Sequence, residues 1–228
     1  MKNIIITGTG RGIGYALVKY FVKKNHNVLA ITRGSKALGD LQKEFANLSV
    51  LKIEITEEKG IEEVVDFVAN KWKKADILIH NAGKLVNKPF SETSSDDFLN
   101  VYKVNVFAVA ELTKAMLPFL EKGSHVVAIS SMGGIQGSMK FAGLSAYSSS
   151  KGAVITLMEL LAEEYKSKGI SFNTLALGAV QTEMLSEAFP DYKAPITASE
   201  MAKYIGDFSL TGNEVYNGKV LQVSNTTP

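Results

Sequence analysis

The chain has 228 residues, of which 46% are hydrophobic, so it can bury one sizeable core, and we predict that residues 1–228 form a single domain. The charges nearly balance, with 25 basic and 23 acidic residues and no dense run of either sign, which gives no indication of a nucleic-acid-binding surface. Because cysteine is absent, disulfide bonds and thiol catalysis are excluded. No apolar run is long enough for a signal segment or a membrane span, so we expect a cytoplasmic protein with no membrane partner. We predict no metal site.

Short apolar runs rich in β-branched residues alternate with amphipathic segments along almost the whole chain. The predicted strands are Asn3–Thr7, Asn27–Thr32, Ser49–Ile53, Asp76–His80, Ser124–Ser130, Ile170–Ala176 and Lys219–Val223. Helical periodicity is typical of segments between them, such as Gly14–Lys24, Ile61–Lys71, Asp96–Glu121 and Tyr147–Lys168. This alternation predicts an α/β fold of the Rossmann-like, doubly wound type, with a seven-stranded parallel sheet covered by helices on both faces. In such a sheet the ligand lies beyond the carboxyl ends of the strands, where the strand order reverses.

A glycine-rich segment follows the first predicted strand and leads directly into a helical pattern. Glycine lets the backbone turn sharply and approach a pyrophosphate closely, and the free N–H groups of the following helix point at the phosphates. No Gly-Lys-Ser/Thr sequence ends the segment, so it is not a P-loop. The segment predicts a dinucleotide site that includes Gly8, Thr9, Gly10, Arg11, Gly12, Ile13 and Gly14.

The end of the second predicted strand indicates which dinucleotide binds. An NAD site places Asp or Glu there, about 20 residues past the glycines, whereas this chain has Thr32-Arg33 and no acidic residue before Asp40. An arginine forms charge-assisted hydrogen bonds with a 2′-phosphate, and Arg11 in the glycine-rich segment is a candidate second cation. We therefore predict NADP (NADPH) as the cofactor. The alternative is that both arginines are solvated surface residues.

Tyr147 and Lys151 are four residues apart on a predicted helix and so lie on one face of it. An ammonium group near a phenol favours the phenolate, which predicts a pKa for Tyr147 lowered from about 10 toward the working pH. Tyr147 is then a general acid for ketone reduction or a general base for alcohol oxidation. A serine at the end of the preceding strand faces the ligand crevice and can donate a hydrogen bond to a substrate carbonyl oxygen.

In chain order, these motifs resemble those of the short-chain dehydrogenase/reductase family. The resemblance covers about Ile4 to Met184 and implies an NADP-dependent oxidoreductase that transfers a hydride between the nicotinamide and a small carbonyl or alcohol. It also implies a homodimer or homotetramer built through the long helices. The matching features are Thr-Gly-x-x-x-Gly-Ile-Gly from Thr7, Asn81-Ala82-Gly83, Asn105, Ser131, Tyr147-x-x-x-Lys151, and the Asn173, Gly178, Thr182 and Met184 of an Asn-x-x-x-Pro-Gly-x-x-x-Thr-like segment.

The resemblance implies a role for each matching residue. Tyr147 would be the proton donor, and Lys151 would lower its pKa and hold the nicotinamide ribose. Ser131 would polarise the substrate carbonyl, and Asn105 would hold a water that links Lys151 to solvent. The further implied cofactor contacts are Glu54 and Ile55 after the third strand, Asn81, Ala82 and Gly83 after the fourth, and Gly178, Val180 and Thr182 after the sixth.

The chain departs from the family pattern at several points. Ser131 lies sixteen positions before Tyr147, more than the family usually has, and the usual spacing puts Gly134 in the serine position. Ser131 is preferred because it ends the strand and the following loop can absorb extra residues at small entropic cost; Ser130 stays an alternative. Leu177-Gly178 replaces Pro-Gly, and Ser224–Pro228 replaces the usual aspartate and glycines, which predicts a weaker tetramer contact. The short segment Leu185–Ser199 predicts a small substrate lid and a fairly open site.

Two other functions use parts of the same pattern. A non-catalytic NADP(H)-binding sensor would keep the fold, but the presence of Tyr147, Lys151 and a strand-end serine argues against it. A methyltransferase that binds S-adenosylmethionine would use the same glycine geometry, but it has no use for the tyrosine–lysine pair and normally needs an acid where Arg33 stands. For the favoured function, an apolar substrate pocket is suggested by Met132, Met139, Phe141, Leu144 and Met184.

Overall fold

The computed structural model describes residues 1–224, so most of the unusual segment Ser224–Pro228 lies outside the described residues. The described chain forms one seven-stranded sheet and a separate pair of two-residue strands, and every strand pair is parallel. The strands are β1 (Asn3–Thr7), β2 (Asn27–Thr32), β3 (Leu48–Lys52), β4 (Ala75–His80), β5 (Leu120–Ser131), β6 (Ser171–Leu177), β7 (Val180–Gln181), β8 (Ile196–Thr197) and β9 (Val220–Val223).

Helices cover both faces of the sheet. They are α1 (Gly12–Lys23), α2 (Lys36–Glu44), α3 (Glu58–Phe67), α4 (Ser95–Tyr102), α5 (Ala108–Met116), α6 (Ser145–Glu164), α7 (Glu183–Ala188) and α8 (Ala198–Thr211). A π-helical turn, Val68–Trp72, extends α3, and a second one, Lys103–Phe107, joins α4 to α5. None of the helices within residues 1–224 is both long and apolar enough to cross a membrane.

The order of the large sheet is β3-β2-β1-β4-β5-β6-β9. The chain builds outward from β1 to β3 and then returns to place β4 on the other side of β1, so the order reverses between β1 and β4. The predicted Rossmann-like, doubly wound fold is therefore confirmed. The crevice at this reversal is the expected ligand site, because the chain leaves β1 and β4 toward opposite faces of the sheet.

The apolar run at the start of the chain is buried on both faces of the sheet. Ile4 and Ile6 pack into the core beneath α1 and α8, whereas Ile5 points to the opposite face and packs into the core beneath α3, α5 and α6. All three isoleucine side chains are fully buried. This alternation explains why the sequence shows continuous rather than alternating hydrophobicity, as expected for a central parallel strand.

Two local expectations differ from the structure. The predicted helix Asp96–Glu121 ends as an α-helix at Met116, because Pro118 cannot continue it, and a 3₁₀ turn at Leu117–Phe119 leads into β5. Strand β5 thus begins at Leu120, where it pairs with Ala75, before a register shift places His125 opposite Ile77. The small β7–β8 sheet was not predicted.

Candidate active site

The glycine-rich loop between β1 and α1 is tightly packed against its surroundings. A Cβ at Gly14 would lie 2.2 Å from the carbonyl oxygen of Gly8, and a Cβ at Gly8 would lie 2.6 Å from the Cα of Ala82. Gly8 also has a φ of +70°, a conformation that favours glycine. These two positions therefore admit only glycine, and they bring the loop against the segment that follows β4.

The first turn of α1 is suited to an anion. Within the described residues, Arg11 at the N-cap makes no side-chain capping bond and the first turn holds no acidic residue. Gly12, Ile13 and Gly14 of this turn line the cleft described below. The positive end of the helix dipole and its uncapped N–H groups thus fit the pyrophosphate of a dinucleotide.

Thr7 and Asn81 join the ends of β1 and β4. The Thr7 hydroxyl accepts hydrogen bonds from the backbone N–H groups of Asn81 and Ala82 at 3.1 and 3.0 Å. The Asn81 amide donates to the carbonyl oxygens of Thr7 and Gly8, each at 3.0 Å. The side chain of Asn81 therefore shapes the glycine-rich loop. The segment Asn81-Ala82-Gly83 also lines the cleft.

Thr9 is predicted among the cofactor-binding residues of the glycine-rich loop, but its side chain faces away from the cleft. It is fully buried, and its hydroxyl donates to the carbonyl oxygen of Ile31 at 3.0 Å. The backbone N–H of Thr9 bonds to the same oxygen. Thr9 lies outside the cleft lining and fixes the loop to the end of β2, because a buried hydroxyl needs a hydrogen-bond partner.

Arg33 follows β2 with an exposed side chain that lines the cleft. Among residues 1–224 it forms no ion pair. Its neighbour Gly34 donates its backbone N–H to the Thr32 hydroxyl at 3.1 Å, which shapes the turn. The guanidinium of Arg33 is therefore available to an anionic group in the cleft.

Arg11, the second predicted phosphate ligand, is engaged elsewhere. Its guanidinium forms a two-pronged ion pair with Glu187 on α7, in which Nη2 donates to Oε2 at 2.8 Å and Nη1 donates to Oε1. The hydrogen bond with Glu187 raises the pKa of Arg11 and lowers the pKa of Glu187. The sequence places these residues 176 positions apart, so it gives no signal of this pairing.

Tyr147 and Lys151 lie on the first two turns of α6 and both line the cleft. The Lys151 Nζ lies 5.7 Å from the centroid of the Tyr147 ring and donates to the carbonyl oxygen of Ile129 at 2.8 Å. Burial lowers the pKa of Lys151 to about 8. The geometry thus brings the two predicted catalytic side chains together at the end of β5.

The pKa of Tyr147 moves in the direction opposite to the prediction. Burial raises the pKa of this phenol above its usual value of 10. A hydrogen bond with Ser131 lowers the pKa, but this effect is smaller than that of burial. Lys151 is itself buried and its ammonium group is bound to the backbone, so the cost of burying a phenolate is larger than the attraction. Tyr147 is therefore protonated at neutral pH.

Three candidates for the catalytic serine position occupy different places. The Ser130 hydroxyl is buried and donates to the carbonyl oxygen of Lys151 at 2.8 Å. Gly134 packs against the backbone of α6, where a Cβ would lie 2.6 Å from the carbonyl carbon of Lys151. Ser131 is partly exposed on the cleft, and its Oγ accepts from the N–H of Gly133 at 3.2 Å. Ser131 thus has the placement expected of a substrate-binding hydroxyl.

Asn105 lies in the π-helical turn between α4 and α5 and is almost fully buried. Its Oδ1 accepts from the Lys84 N–H at 2.8 Å, while its Nδ2 donates to the Lys84 carbonyl and to the Ser150 hydroxyl. Asn105 does not line the cleft directly. A Cβ at Gly83 would lie 3.7 Å from both the Asn105 Oδ1 and the Lys151 Nζ, so the missing side chain of Gly83 leaves room between them.

These residues border one cleft of about 760 Å³. Thr182 caps α7 at its wall, where its Oγ1 accepts from the N–H of Leu185 at 3.3 Å. Sequence reasoning missed the lining residues Lys84 and Leu85. The predicted lid segment contributes Leu185, Phe189 and Tyr192 to the lining, whereas Met139 lies outside it. The predicted site residues that line the cleft are Gly8, Gly10, Arg11, Gly12, Ile13, Gly14, Arg33, Glu54, Ile55, Asn81, Ala82, Gly83, Ser131, Tyr147, Lys151, Gly178, Val180 and Thr182.

Comparison with known proteins identifies the family of the chain. The family described as short chain dehydrogenase matches residues 2–193. The chain is 28% identical over 208 residues to the 3-oxoacyl-[acyl-carrier-protein] reductase FabG of Salmonella typhimurium, covering 90% of this chain and 84% of the relative. It is 30% identical over 204 residues to the NADPH-dependent pterin aldehyde reductase of Arabidopsis thaliana, covering 85% and 83%.

Solved structures with the same fold include proteins bound to either nicotinamide cofactor. A 4-hydroxyisoleucine dehydrogenase mutant complexed with NADH and succinate has a TM-score of 0.88 at 25% identity, covering 100% of this chain and 99% of that chain. ElxO with NADP bound has a TM-score of 0.85 at 27% identity, covering 98% and 97%. Together with the matched family, they show that the chain belongs to the short-chain dehydrogenase/reductase family of oxidoreductases.

Proposed function

We propose that this chain is an NADP(H)-dependent oxidoreductase that acts on a small carbonyl or alcohol, with residues 1–228 as one dinucleotide-binding and catalytic unit. The observation that carries the proposal is the convergence of Ser131, Tyr147 and Lys151 on the cleft that the glycine-rich loop and Arg33 also border. A cytoplasmic location is part of the proposal, and the cysteine-free sequence is consistent with it.

Side chains of the protein polarise the substrate carbonyl and supply the proton for its reduction. The Ser131 hydroxyl donates a hydrogen bond to the carbonyl oxygen and polarises it. In reduction, the Tyr147 hydroxyl gives its proton to that oxygen. NADPH, when bound, would supply the hydride for the carbonyl carbon. Because the pKa of Lys151 is about 8, its ammonium group is mostly charged at neutral pH and stabilises the phenolate that Tyr147 leaves behind.

The wall beside these residues favours an apolar substrate. Apolar and aromatic side chains of the loop before α6 and of the lid line this part of the cleft, among them Phe141, Leu144, Met184, Leu185 and Phe189. Such a wall binds an uncharged carbonyl through burial of its apolar surface. The Arabidopsis thaliana relative is a pterin aldehyde reductase, which supports a carbonyl substrate for this chain.

The experiment combines cofactor titration with turnover measurements on a panel of apolar aldehydes and ketones. We expect the wild-type protein to bind NADPH on the order of 10–100-fold more tightly than NADH. The Tyr147→Phe variant should lose ~100-fold or more of the turnover, because general-acid catalysis is removed. Its NADPH affinity should stay within a few-fold of the wild-type value.

Tyr165→Phe is the matched control, because Tyr165 lies at the C-cap of the same helix and outside the cleft. Turnover by Tyr147→Phe at a near wild-type rate would contradict the mechanism. Tight NADPH binding without turnover of any carbonyl or alcohol would favour the non-catalytic sensor. Equal affinity for NADPH and NADH would contradict the choice of cofactor.

A further inference from the structure

Arg11 faces two carboxylates of the lid helix α7 instead of standing free. Its guanidinium is bound by Glu187 through both of its terminal nitrogens, and Glu183 lies nearby and adds to the negative field at Arg11. We propose that Glu187 is a specificity-determining residue, which competes with the 2′-phosphate of NADP for Arg11 and so moderates the preference for NADP over NAD. This inference rests on the proposed function.

The backbone places Arg11 close to the predicted phosphate position. A Cβ at the preceding residue, Gly10, would lie 2.9 Å from the Thr32 hydroxyl and 3.4 Å from the carbonyl oxygen of Gly34. Gly10 therefore packs against the two residues that flank Arg33. Arg11 and Arg33 both line the same cleft. We infer that one anionic group at this end of the cleft can contact both arginines. Of the two, Arg11 is already paired with the carboxylate of Glu187.

The 2′-phosphate binds Arg11 more strongly than Glu187 does, but breaking the ion pair lowers the affinity for NADP by a measurable amount. Both partners are exposed, with side-chain exposures of 52% for Arg11 and 61% for Glu187. An exposed ion pair is weak in water and is screened by salt, whereas a phosphate carries close to two charges and accepts stronger bonds from a guanidinium. Arg11 therefore exchanges Glu187 for the phosphate when NADP binds. Breaking the ion pair reduces the affinity for NADP about two- to fivefold.

The lid has other attachments that do not depend on Arg11. The Asn87 amide donates to the carbonyl oxygen of Ala188, the residue after Glu187, at 3.0 Å. The Thr182 side chain caps the other end of α7. Removing the Glu187 carboxylate thus frees Arg11 while these contacts keep α7 in place. The effect on cofactor affinity is separable from an effect on the lid.

The test is a set of binding titrations with NADP⁺, NAD⁺ and adenosine 2′,5′-bisphosphate at low salt. Glu187→Gln should bind NADP⁺ and the bisphosphate about two- to fivefold more tightly than the wild type, with NAD⁺ affinity unchanged. Arg11→Ala should weaken NADP⁺ binding more in the Glu187→Gln background than alone, because only there is Arg11 free beforehand. High salt should shrink all of these differences.

Glu62→Gln, on the exposed face of α3, is the control for the change in net charge and should leave the affinities unchanged. Glu187→Ala, which also removes the residual amide contact, should act in the same direction as Glu187→Gln. Equal gains for NAD⁺ and NADP⁺, weaker NADP⁺ binding, or no change in Glu187→Gln would each overturn the inference.

Arg33→Ala separates a failure of this inference from a failure of the proposed function. If Arg33→Ala removes an NADP preference that Glu187→Gln does not alter, the role of Glu187 is wrong and the proposed cofactor stands. If the wild type has no preference and Arg33→Ala changes nothing, the proposed cofactor is wrong. A preference that appears only in Glu187→Gln would still support the competition for Arg11.

Discussion

Ser130 and Ser131 are adjacent in the sequence but face different environments. Both residues border the cleft, but successive side chains of a strand point to opposite sides. The buried Ser130 hydroxyl is directed at α6 and donates to the carbonyl oxygen of Lys151, whereas Ser131 is partly exposed. The same helix carries Tyr147 and Lys151. Ser130 thus helps to fix the helix that bears the predicted catalytic pair, and Ser131 is left as the proposed substrate-binding hydroxyl.

Replacing each serine by alanine should therefore change a different property, which is turnover for Ser131 and stability for Ser130. We expect Ser131→Ala to lower turnover ~100-fold or more with little change in stability, because a hydrogen bond to the developing oxyanion is lost. Ser130→Ala should lower the free energy of unfolding by about 0.5–1.5 kcal/mol, since one buried hydrogen bond is lost while the carbonyl of Lys151 keeps its backbone donor within α6. Steady-state kinetics and urea unfolding of both variants measure the two effects. If a folded Ser130→Ala protein lost as much turnover as Ser131→Ala, the assignment of separate roles to the two serines would be wrong.

The sequence predicts a residue's position better than its partners. The position of Ser131 followed from the end of a strand, and that of Tyr147 and Lys151 from helical spacing, because both depend on local geometry. The bond between Arg11 and Glu187 joins the glycine-rich loop to the short helix α7, which is distant in the sequence. Thr9 likewise belongs to the right loop, but its burial depends on how that loop packs on β2. Such contacts follow from tertiary packing, which leaves no periodic signal.

At the scale of elements, a buried polar contact joins β5 and β6 to the region after α8. The Asn173 amide on β6 donates to the Nε2 of His125 on β5 and to the carbonyl oxygen of Tyr216, each with one of its hydrogens. The Nδ1 of His125 bonds to the carbonyl oxygen of Ser209 on α8. His125 is therefore neutral, with its hydrogen on Nδ1, because a hydrogen on Nε2 would face the donating amide of Asn173.

This arrangement predicts a loss of stability in acid. Burial lowers the pKa of His125 to about 4 in the folded protein, whereas the unfolded value is about 6.5. The neutral form thus stabilises the fold fully above pH 6.5, and this contribution is lost as the pH falls from 6.5 toward 4. The total is about 3 kcal/mol. Burial also lowers the pKa of His80, to about 3, and this histidine adds a loss of the same sign.

Urea unfolding between pH 4 and pH 8 measures this dependence. His125→Asn keeps an amide that can donate to Ser209 and cannot titrate, so its stability should fall less steeply between pH 6.5 and pH 4. His26→Asn serves as the control at a partly exposed histidine and should keep most of the wild-type slope. An unchanged slope in His125→Asn would show that His125 is not responsible.

Element prediction succeeded where burial repeats along the chain. The first two strands match their predicted ranges, since each is a β-branched run buried on both faces. The early start of β5 was missed because polar residues Glu121–Ser124 interrupt its apolar pattern. The β7–β8 pair was missed because two residues cannot show a period. The start of β5 and the β7–β8 pair both depend on tertiary contacts, which a sequence pattern does not show.

At the scale of the whole molecule, large apolar side chains are exposed on the helices that the family resemblance assigns to assembly. Leu99 on α4, Phe107 in the π-helical turn and Leu160 on α6 are 59%, 52% and 63% exposed. Large apolar side chains exposed on neighbouring helices are typical of an interface. A two-fold axis beside α4 and α6 would bury them against the same residues of a second copy. A second set, which includes Val215 and Tyr216, is exposed after α8.

We therefore predict a homodimer through α4 and α6, which a second contact after α8 can extend to a tetramer. Light scattering of the purified protein at micromolar concentration should give at least the dimer mass. Leu160→Glu should lower the mass to that of a monomer or of a smaller assembly, because a charge cannot be buried unpaired in an apolar interface. Val215→Glu introduces the same charge at the other site and should leave the α4–α6 dimer intact. A wild-type monomer at this concentration, or an assembly that Leu160→Glu does not alter, would show that these apolar side chains are not an interface.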